Sequence, residues 1–137
     1  MTISLLILIA VTAIVFGIGE AIMLPNVMKP MFKEVLGDQV LDKIRLGPAA
    51  MFYVIHIAGL IWFASAPALR DGQPGMALLN GALLGLIAFS CYEMTSWTIM
   101  RDWSPRLVVA DIAWGTFISG VSSWAAVLAA RALQTTA

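Results

Sequence analysis

Charged side chains are scarce in this chain, and neither sign dominates. Asp, Glu, Lys and Arg make up 12% of the 137 residues, with eight acidic and eight basic side chains, whereas an ordinary soluble domain has about 25%. Hydrophobic residues account for 61%. These proportions exclude an ordinary soluble domain and indicate an integral membrane protein, folded as one domain over residues 1–137. The zero net charge, without a long basic run, gives no reason to expect nucleic acid as a partner.

Cysteine and histidine each occur once, which limits the available chemistry. Cys91 has no partner for an internal disulfide or a thiolate metal site, and we interpret it as a small buried apolar side chain. His56 has no second histidine for bis-histidine haem ligation, and the Glu-x-x-His motif of di-metal bundles is missing. A Gly-rich phosphate loop and an assignable Ser-His-Asp set are also missing. We therefore predict no catalytic residue, no metal site and no intrinsic cofactor.

Long apolar stretches are what the chain has in abundance. A transmembrane helix needs about 20 mostly apolar residues to cross about 30 Å of hydrocarbon. Four stretches meet this requirement, and Pro25, Pro48, Pro67 and Pro105 mark helix ends or starts. The predicted spans are residues 3–24, 48–66, 75–97 and 106–133. Because the second and third loops are short, consecutive helices should be antiparallel neighbours, which predicts an all-α membrane protein built as a four-helix bundle.

The first loop has a different pattern. In the segment MFKEVLGDQVLDKIRL, apolar side chains recur at helical spacing with charges between them. They are Phe32, Val35, Leu36, Val40, Leu41 and Ile44. This pattern predicts a short amphipathic helix, which lies on the membrane surface or packs over the end of the bundle.

Basic side chains predict the orientation. Loops one and three contain Lys29, Lys33, Lys43, Arg45, Arg101 and Arg106, whereas the other side has only Arg70 and Arg131. Because cytoplasmic loops are rich in Lys and Arg, we predict that loops one and three lie in the cytoplasm of a bacterium and that both termini lie outside its inner membrane. Trp97 and Trp103 then fall near the cytoplasmic boundary, and Trp62 and Trp124 near the outer one, as interface anchors.

Small residues recur every four positions in the last two spans. They are Ala77, Gly81 and Gly85 in the third, and Gly115, Ser119 and Ser123 in the fourth. Small side chains at this interval let helix backbones approach closely in lipid, so we predict that these two stripes pack in helix–helix interfaces.

Each predicted span also offers one ionisable group at a similar depth in its cytoplasmic half: Glu20, His56, Glu93 and Asp111. At about 1.5 Å per residue, each lies about 8 to 12 Å from the predicted cytoplasmic end of its helix. Asp111 shares a helix face with Gly115 and Ser119 through i, i+4 spacing, which directs it towards the other helices. Ionisable groups within a membrane are costly and normally face the bundle interior, so these four form a candidate site.

Three interpretations of this polar cluster remain open. In the first, the side chains hold the helices in register through hydrogen bonds or ion pairs; the partners considered are Tyr53, Tyr92, Thr95, Ser96, Trp114, Arg101 and Arg106. In the second, the carboxyl groups relay a proton or bind a cationic substrate. In the third, the four groups hold a metal.

Two short motifs carry a resemblance. The runs YEMTSW, from Tyr92 to Trp97, and VVADIAWGT, from Val108 to Thr116, resemble the bacterial family of small predicted membrane proteins catalogued as domain of unknown function 2177. The runs AAMFYVIHIAGLIWFASAPAL and NGALLGLIAFSCYE are similar to its second and third spans. The resemblance implies a four-helix bacterial inner-membrane protein with acidic groups in helices one, three and four. It implies no catalytic residues, because the family has no established activity.

The chain departs from the family pattern at several of these positions. His56 stands where a tyrosine is common, Glu93 where an aspartate is, and Ser96 where an asparagine is. In the first helix Glu20 is followed by Met23, where relatives have a tryptophan after the acid.

These departures fit a mainly structural role. Our leading hypothesis is a non-enzymatic accessory subunit of a larger bacterial membrane complex, such as a photosynthetic or respiratory assembly. Its partners would be membrane lipids and other integral subunits, with contacts to lipid, quinone or pigment of that complex. The alternatives are a small proton-coupled transporter that uses the intramembrane carboxyl groups, and a membrane enzyme acting on lipid.

Overall fold

The computed structural model describes residues 2–136, and the side chains of residues 2–134. Its α-helices are α1 (Thr2–Met23), α2 (Lys29–Leu36), α3 (Leu46–Leu60), α4 (Ala66–Arg70), α5 (Pro74–Ile99) and α6 (Pro105–Thr136). A π-helical turn, Leu24–Met28, joins α1 to α2, and another, Ile61–Ser65, joins α3 to α4. A short 3₁₀ helix, Gly37–Gln39, follows α2.

These elements form four helices that are long and apolar enough to cross a membrane. They are Thr2–Gln39, Leu46–Arg70, Pro74–Ile99 and Pro105–Gln134. The described residues contain no β-strand. The predicted all-α membrane protein with four transmembrane helices is confirmed.

Two prolines that we expected to end helices lie inside them. Pro25 is part of the π turn Leu24–Met28, and Pro67 is the second residue of α4, which follows the π turn Ile61–Ser65. Proline removes a backbone N–H and crowds the carbonyl group four residues earlier, which breaks a regular α-helix. A π turn has a wider hydrogen-bonding pattern that accommodates this local change. The expectation that the helices stop at these prolines was wrong, because both continue for several residues.

Helix α2 continues the first transmembrane helix and packs over one end of the bundle. Its side chains Phe32 and Val35 contact an apolar cluster that includes Trp103 and Leu107. The chain leaves α2 at Gly37, whose φ of 60° suits glycine and disfavours other residues. Loops one and three therefore meet at the same end of the bundle.

Helices α5 and α6 form the closest pair. A Cβ atom added to Gly81 would lie 2.8 Å from the carbonyl oxygen of Ser119, and one added to Gly85 would lie 2.4 Å from that of Gly115. As the residue number rises along α5 its contacts fall along α6, so the two helices run in opposite directions. The small residues predicted to pack in helix interfaces lie here, with Ala77, Gly81 and Gly85 facing α6 or buried beside it.

Helix α1 packs against α6 and α3. Phe16, Leu60 and Ile118 form a buried apolar cluster from these three helices. At the other end of the bundle the side-chain amide of Gln134 donates a hydrogen bond to the hydroxyl of Ser4. The interior is thus built from a few large side chains around small ones, and the apolar surface outside it faces lipid.

Candidate functional site

The centre of the candidate site is a pair of carboxyl groups, Glu93 of α5 and Asp111 of α6, which we call the carboxyl pair. Glu93 is 0% exposed and Asp111 is 8% exposed. The two carboxyl groups are near enough to interact electrostatically. Two ionised carboxylates have only acceptors and cannot bond to each other. The carboxyl pair therefore places two acidic groups side by side in the interior of the bundle.

Only one of the two carboxyl oxygens of Glu93 has a hydrogen-bond partner among the described residues. Trp103 Nε1 donates a hydrogen bond of 2.9 Å to Glu93 Oε2. Within the described part of the chain, Glu93 Oε1 is buried and has no hydrogen-bond partner. A buried polar atom without a partner is costly and rare, and it needs a ligand, a proton or a water to satisfy it.

A third acidic side chain lies near the carboxyl pair. Glu20 of α1 interacts electrostatically with Asp111. The hydroxyl of Tyr92 adds a further titratable group beside both carboxyls. Arg101 and Arg106, which the sequence offered as ion-pair partners, are exposed, and neither is among the neighbours that act on Asp111. The site is accordingly acidic and has no built-in counter-charge among those neighbours.

Glu20 has its own hydrogen-bond donors. Trp114 Nε1 donates to Glu20 Oε1 over 2.9 Å, and the hydroxyl of Tyr53 donates to Oε2 over 3.5 Å. Both donors were among the partners considered from the sequence. These bonds join α1 to α3 and α6 at the depth of the carboxyl pair.

His56 forms a separate part of the site. It is 5% exposed, and its Nε2 lies 2.9 Å from Ser119 Oγ. Its ring stacks on Phe52 with centroids 5.3 Å apart and meets Phe89 edge-on at 6.0 Å. The sequence predicted one polar cluster, and the structure divides it into the carboxyl pair, the Glu20 group and the His56–Ser119 contact.

A pocket of about 240 Å³ leads to Asp111. Its walls come from Phe52 on α3 and from Ala88, Phe89 and Tyr92 on α5, and Asp111 on α6 completes it. We call it the aromatic pocket. The sequence analysis missed Phe52 and Phe89, since one aromatic residue in an apolar helix carries no signal until two helices meet.

One predicted interface anchor has a different position. Trp62, Trp97 and Trp124 are 75%, 45% and 40% exposed, but Trp103 is only 6% exposed. The third loop folds back over the bundle, so the Trp103 ring packs between Phe32 and Tyr92, with centroids 5.8 and 6.0 Å away, and bonds to Glu93. Its expected role as a membrane-boundary anchor is corrected to that of a hydrogen-bond donor inside the site.

The described residues contain no group of three or more His, Cys, Asp and Glu placed to hold a metal ion. His56 bonds to Ser119 and the carboxyls pair with each other, so the third interpretation of the polar cluster lacks its ligand set. Cys91, which we interpreted as buried, is exposed on the surface of α5.

Comparison with known proteins identifies the family. Residues 5–128 match the model of a family described as "Predicted membrane protein (DUF2177)". The chain belongs to this family. No curated protein and no solved structure matches the chain.

The DUF2177 match includes every residue of the candidate site. Glu20, His56, Glu93 and Asp111 all lie within residues 5–128, as does the aromatic pocket. The family description names a membrane protein and no activity, so any functional conclusion rests on the geometry of the site.

Proposed function

We propose that this DUF2177 protein is a small proton-coupled membrane transporter in which the carboxyl pair binds either a proton or a cation. One observation carries the proposal. Glu93 is fully buried beside Asp111, has an unpartnered oxygen, and has acidic neighbours within the described part of the chain. Intramembrane acids in this situation mark proton relays and cation pathways in transporters.

Ionisation of both members of the carboxyl pair without a bound cation would be costly. Two like charges about 4 Å apart repel by about 4 kcal/mol at an effective dielectric constant of about 20, and burial adds a desolvation penalty to each charge. Structural carboxylates normally avoid both costs by pairing with Arg or Lys, and no such partner acts on Asp111. A proton or an incoming cation relieves the same repulsion, so the two compete for one site.

In this proposal a cation reaches the carboxyl pair from the side of Asp111. Asp111 lines the aromatic pocket between α3 and α5, whereas the Trp103 indole bonds to Glu93 from the third loop. A cation that enters through the pocket meets Asp111 first, with Glu93 behind it. Competition at one such site is the simplest basis for exchange, since release of the proton accompanies binding of the cation.

Proton movement in reconstituted vesicles tests this proposal. Liposomes containing the full chain hold a pH indicator in an acidic lumen, and sodium, potassium or tetramethylammonium chloride is added outside in turn. We expect at least one cation to make the lumen alkaline faster than in protein-free liposomes. Asp111→Asn and Glu93→Gln should reduce the rate to the protein-free level.

The matched control is Glu34→Gln, which removes one carboxyl charge from the exposed surface of α2. This variant should exchange protons at the wild-type rate. A wild-type protein that responds to none of the three cations, or an Asp111→Asn variant that responds normally, would overturn the transporter proposal.

The accessory-subunit hypothesis is a second proposal, which one surface feature favours. An apolar groove of about 430 Å³ runs between the first and second transmembrane helices on the lipid-facing side. It is lined by Leu5, Ile9, Ala13, Val54, Ile57, Ala58, Ile61 and Trp62. Small residues beside large ones suit the close approach of a helix from another integral subunit. Untagged protein extracted from its own membrane in mild detergent should then co-migrate with a larger complex in fixed proportion; migration alone would oppose this.

A further inference from the structure

We infer that the aromatic pocket binds a small organic ammonium ion, with Asp111 as its counter-charge. This inference deepens the proposed function, because it names the class of cation that competes with the proton. It rests on the rings of Phe52, Phe89 and Tyr92, on the position of Asp111 among them, and on the size of the pocket.

Three aromatic residues line the pocket that contains the Asp111 carboxyl group. The Phe52 and Phe89 centroids are 6.1 Å apart with the rings at 74° to each other, so the two rings meet edge to face in the pocket wall. Tyr92, one helical turn beyond Phe89, provides the third ring. Aromatic faces attract cations, and cages of such rings are the usual binding site for alkylated ammonium groups.

The lining also favours an ammonium ion over a metal cation. Asp111 is the one charged side chain among the pocket residues, and Ala88 completes an otherwise apolar wall. A hard metal cation needs several oxygen ligands, which this wall does not supply. An alkylated ammonium ion needs none, because rings and a single carboxylate satisfy it.

Two contacts hold the rings in place. A Cβ atom on Gly115 would lie 2.2 Å from Cγ of Phe89, so the Phe89 ring rests directly on the glycine backbone. The Phe52 ring stacks on His56, which is itself held by Ser119. The pocket is therefore preformed, and its volume of about 240 Å³ is below the range of about 300 to 1,000 Å³ that drug-sized ligands occupy. The ligand should be the size of tetramethylammonium or choline.

Binding measurements on the purified full chain in mild detergent test this inference separately from transport. Isothermal titration uses choline and its uncharged carbon analogue, in which a tert-butyl group replaces the trimethylammonium group. We expect saturable choline binding and a Kd for the neutral analogue at least about 10-fold higher.

Matched variants assign the binding to the pocket. Phe52→Leu and Phe89→Leu should each raise the choline Kd by about 10-fold, and Asp111→Asn should abolish binding. Phe52→Tyr keeps the ring and should retain affinity, which controls for loss of folding in the leucine variant. Phe63→Leu removes a lipid-facing ring that is 62% exposed and should leave the Kd unchanged.

The outcomes separate the two proposals. Equal affinity for choline and its neutral analogue, or choline binding that all the pocket variants retain, would overturn the ammonium site. Proton exchange driven by sodium or potassium without choline binding would overturn it too, while the transporter proposal stands. Choline binding that the pocket variants remove, without proton exchange, would confirm the ligand class and reject transport.

Discussion

At the scale of single residues, Trp103 is the side chain that donates a hydrogen bond to Glu93. The indole N–H of Trp103 is the hydrogen-bond donor to Glu93 Oε2, and the ring lies in a cluster with Phe32 and Tyr92. The same residue type at Trp97 is 45% exposed. Two tryptophans six residues apart thus have different roles, one inside the protein and one at its surface.

Trp103→Phe should lower the free energy of unfolding by about 2 kcal/mol, because a buried carboxyl group loses its hydrogen-bond donor. Trp97→Phe is the matched control and should change it by less than about 0.5 kcal/mol. Unfolding in mixed micelles with increasing SDS measures both. A double-mutant cycle with Glu93→Met separates the hydrogen bond from the lost ring contacts. Equal effects of the two tryptophan variants would show that the bond contributes nothing measurable.

At the scale of helices, close backbone packing between α5 and α6 positions the carboxyl pair. The Gly85 backbone lies against Gly115 and Ser119, two turns along α5 from Glu93, and Asp111 lies one turn along α6 from Gly115. The distance between the two carboxyls is therefore set by the distance between two backbones. Any side chain added between them separates the helices at the site.

Gly85→Ala should lower the free energy of unfolding by about 2 kcal/mol, since the new Cβ would lie 2.4 Å from a backbone oxygen and overpacking costs about 1 to 3 kcal/mol. The control is Gly17→Ala in α1, where nothing lies within 4 Å of the new atom. That change should be neutral or stabilising by up to about 1 kcal/mol, because alanine favours the helix. SDS unfolding curves of both variants check the opposite signs. A Gly85→Ala protein as stable as wild type would contradict the close packing.

At the scale of the whole molecule, the carboxyl pair is the feature on which the proposed transport role depends. Two adjacent buried carboxylates would destabilise the bundle if both were ionised and no cation were bound. Glu20 adds a third acid at the same end of the bundle, where loops one and three meet. Natural proteins tolerate such costs at functional sites.

Glu93→Gln should therefore raise the free energy of unfolding at neutral pH by about 1 kcal/mol, because the neutral amide removes one of two adjacent buried acids and its oxygen still accepts from Trp103. The same variant should lose proton exchange in liposomes. SDS unfolding and the pH-indicator measurement on one preparation check the two effects together. A Glu93→Gln protein that is less stable than wild type would indicate that the acid holds the fold together and would count against a transport role.

The sequence by itself determined the number of transmembrane helices, because hydropathy is summed over a local window and about 20 apolar residues are needed for each crossing. Spacing along a helix also predicted that the small residues of α5 and α6 pack between helices, since both stripes follow helical periodicity. The expectation that Pro25 and Pro67 end helices was wrong, because a rule about regular α-helices does not include the π turns that contain Pro25 and precede Pro67. Only the tertiary structure decided that Glu93 and Asp111 form a pair, that Trp103 bonds to Glu93, and that Phe52 and Phe89 line one pocket. The physical reason is that such contacts depend on the rotation and register of whole helices, which are fixed by packing between residues far apart in the chain.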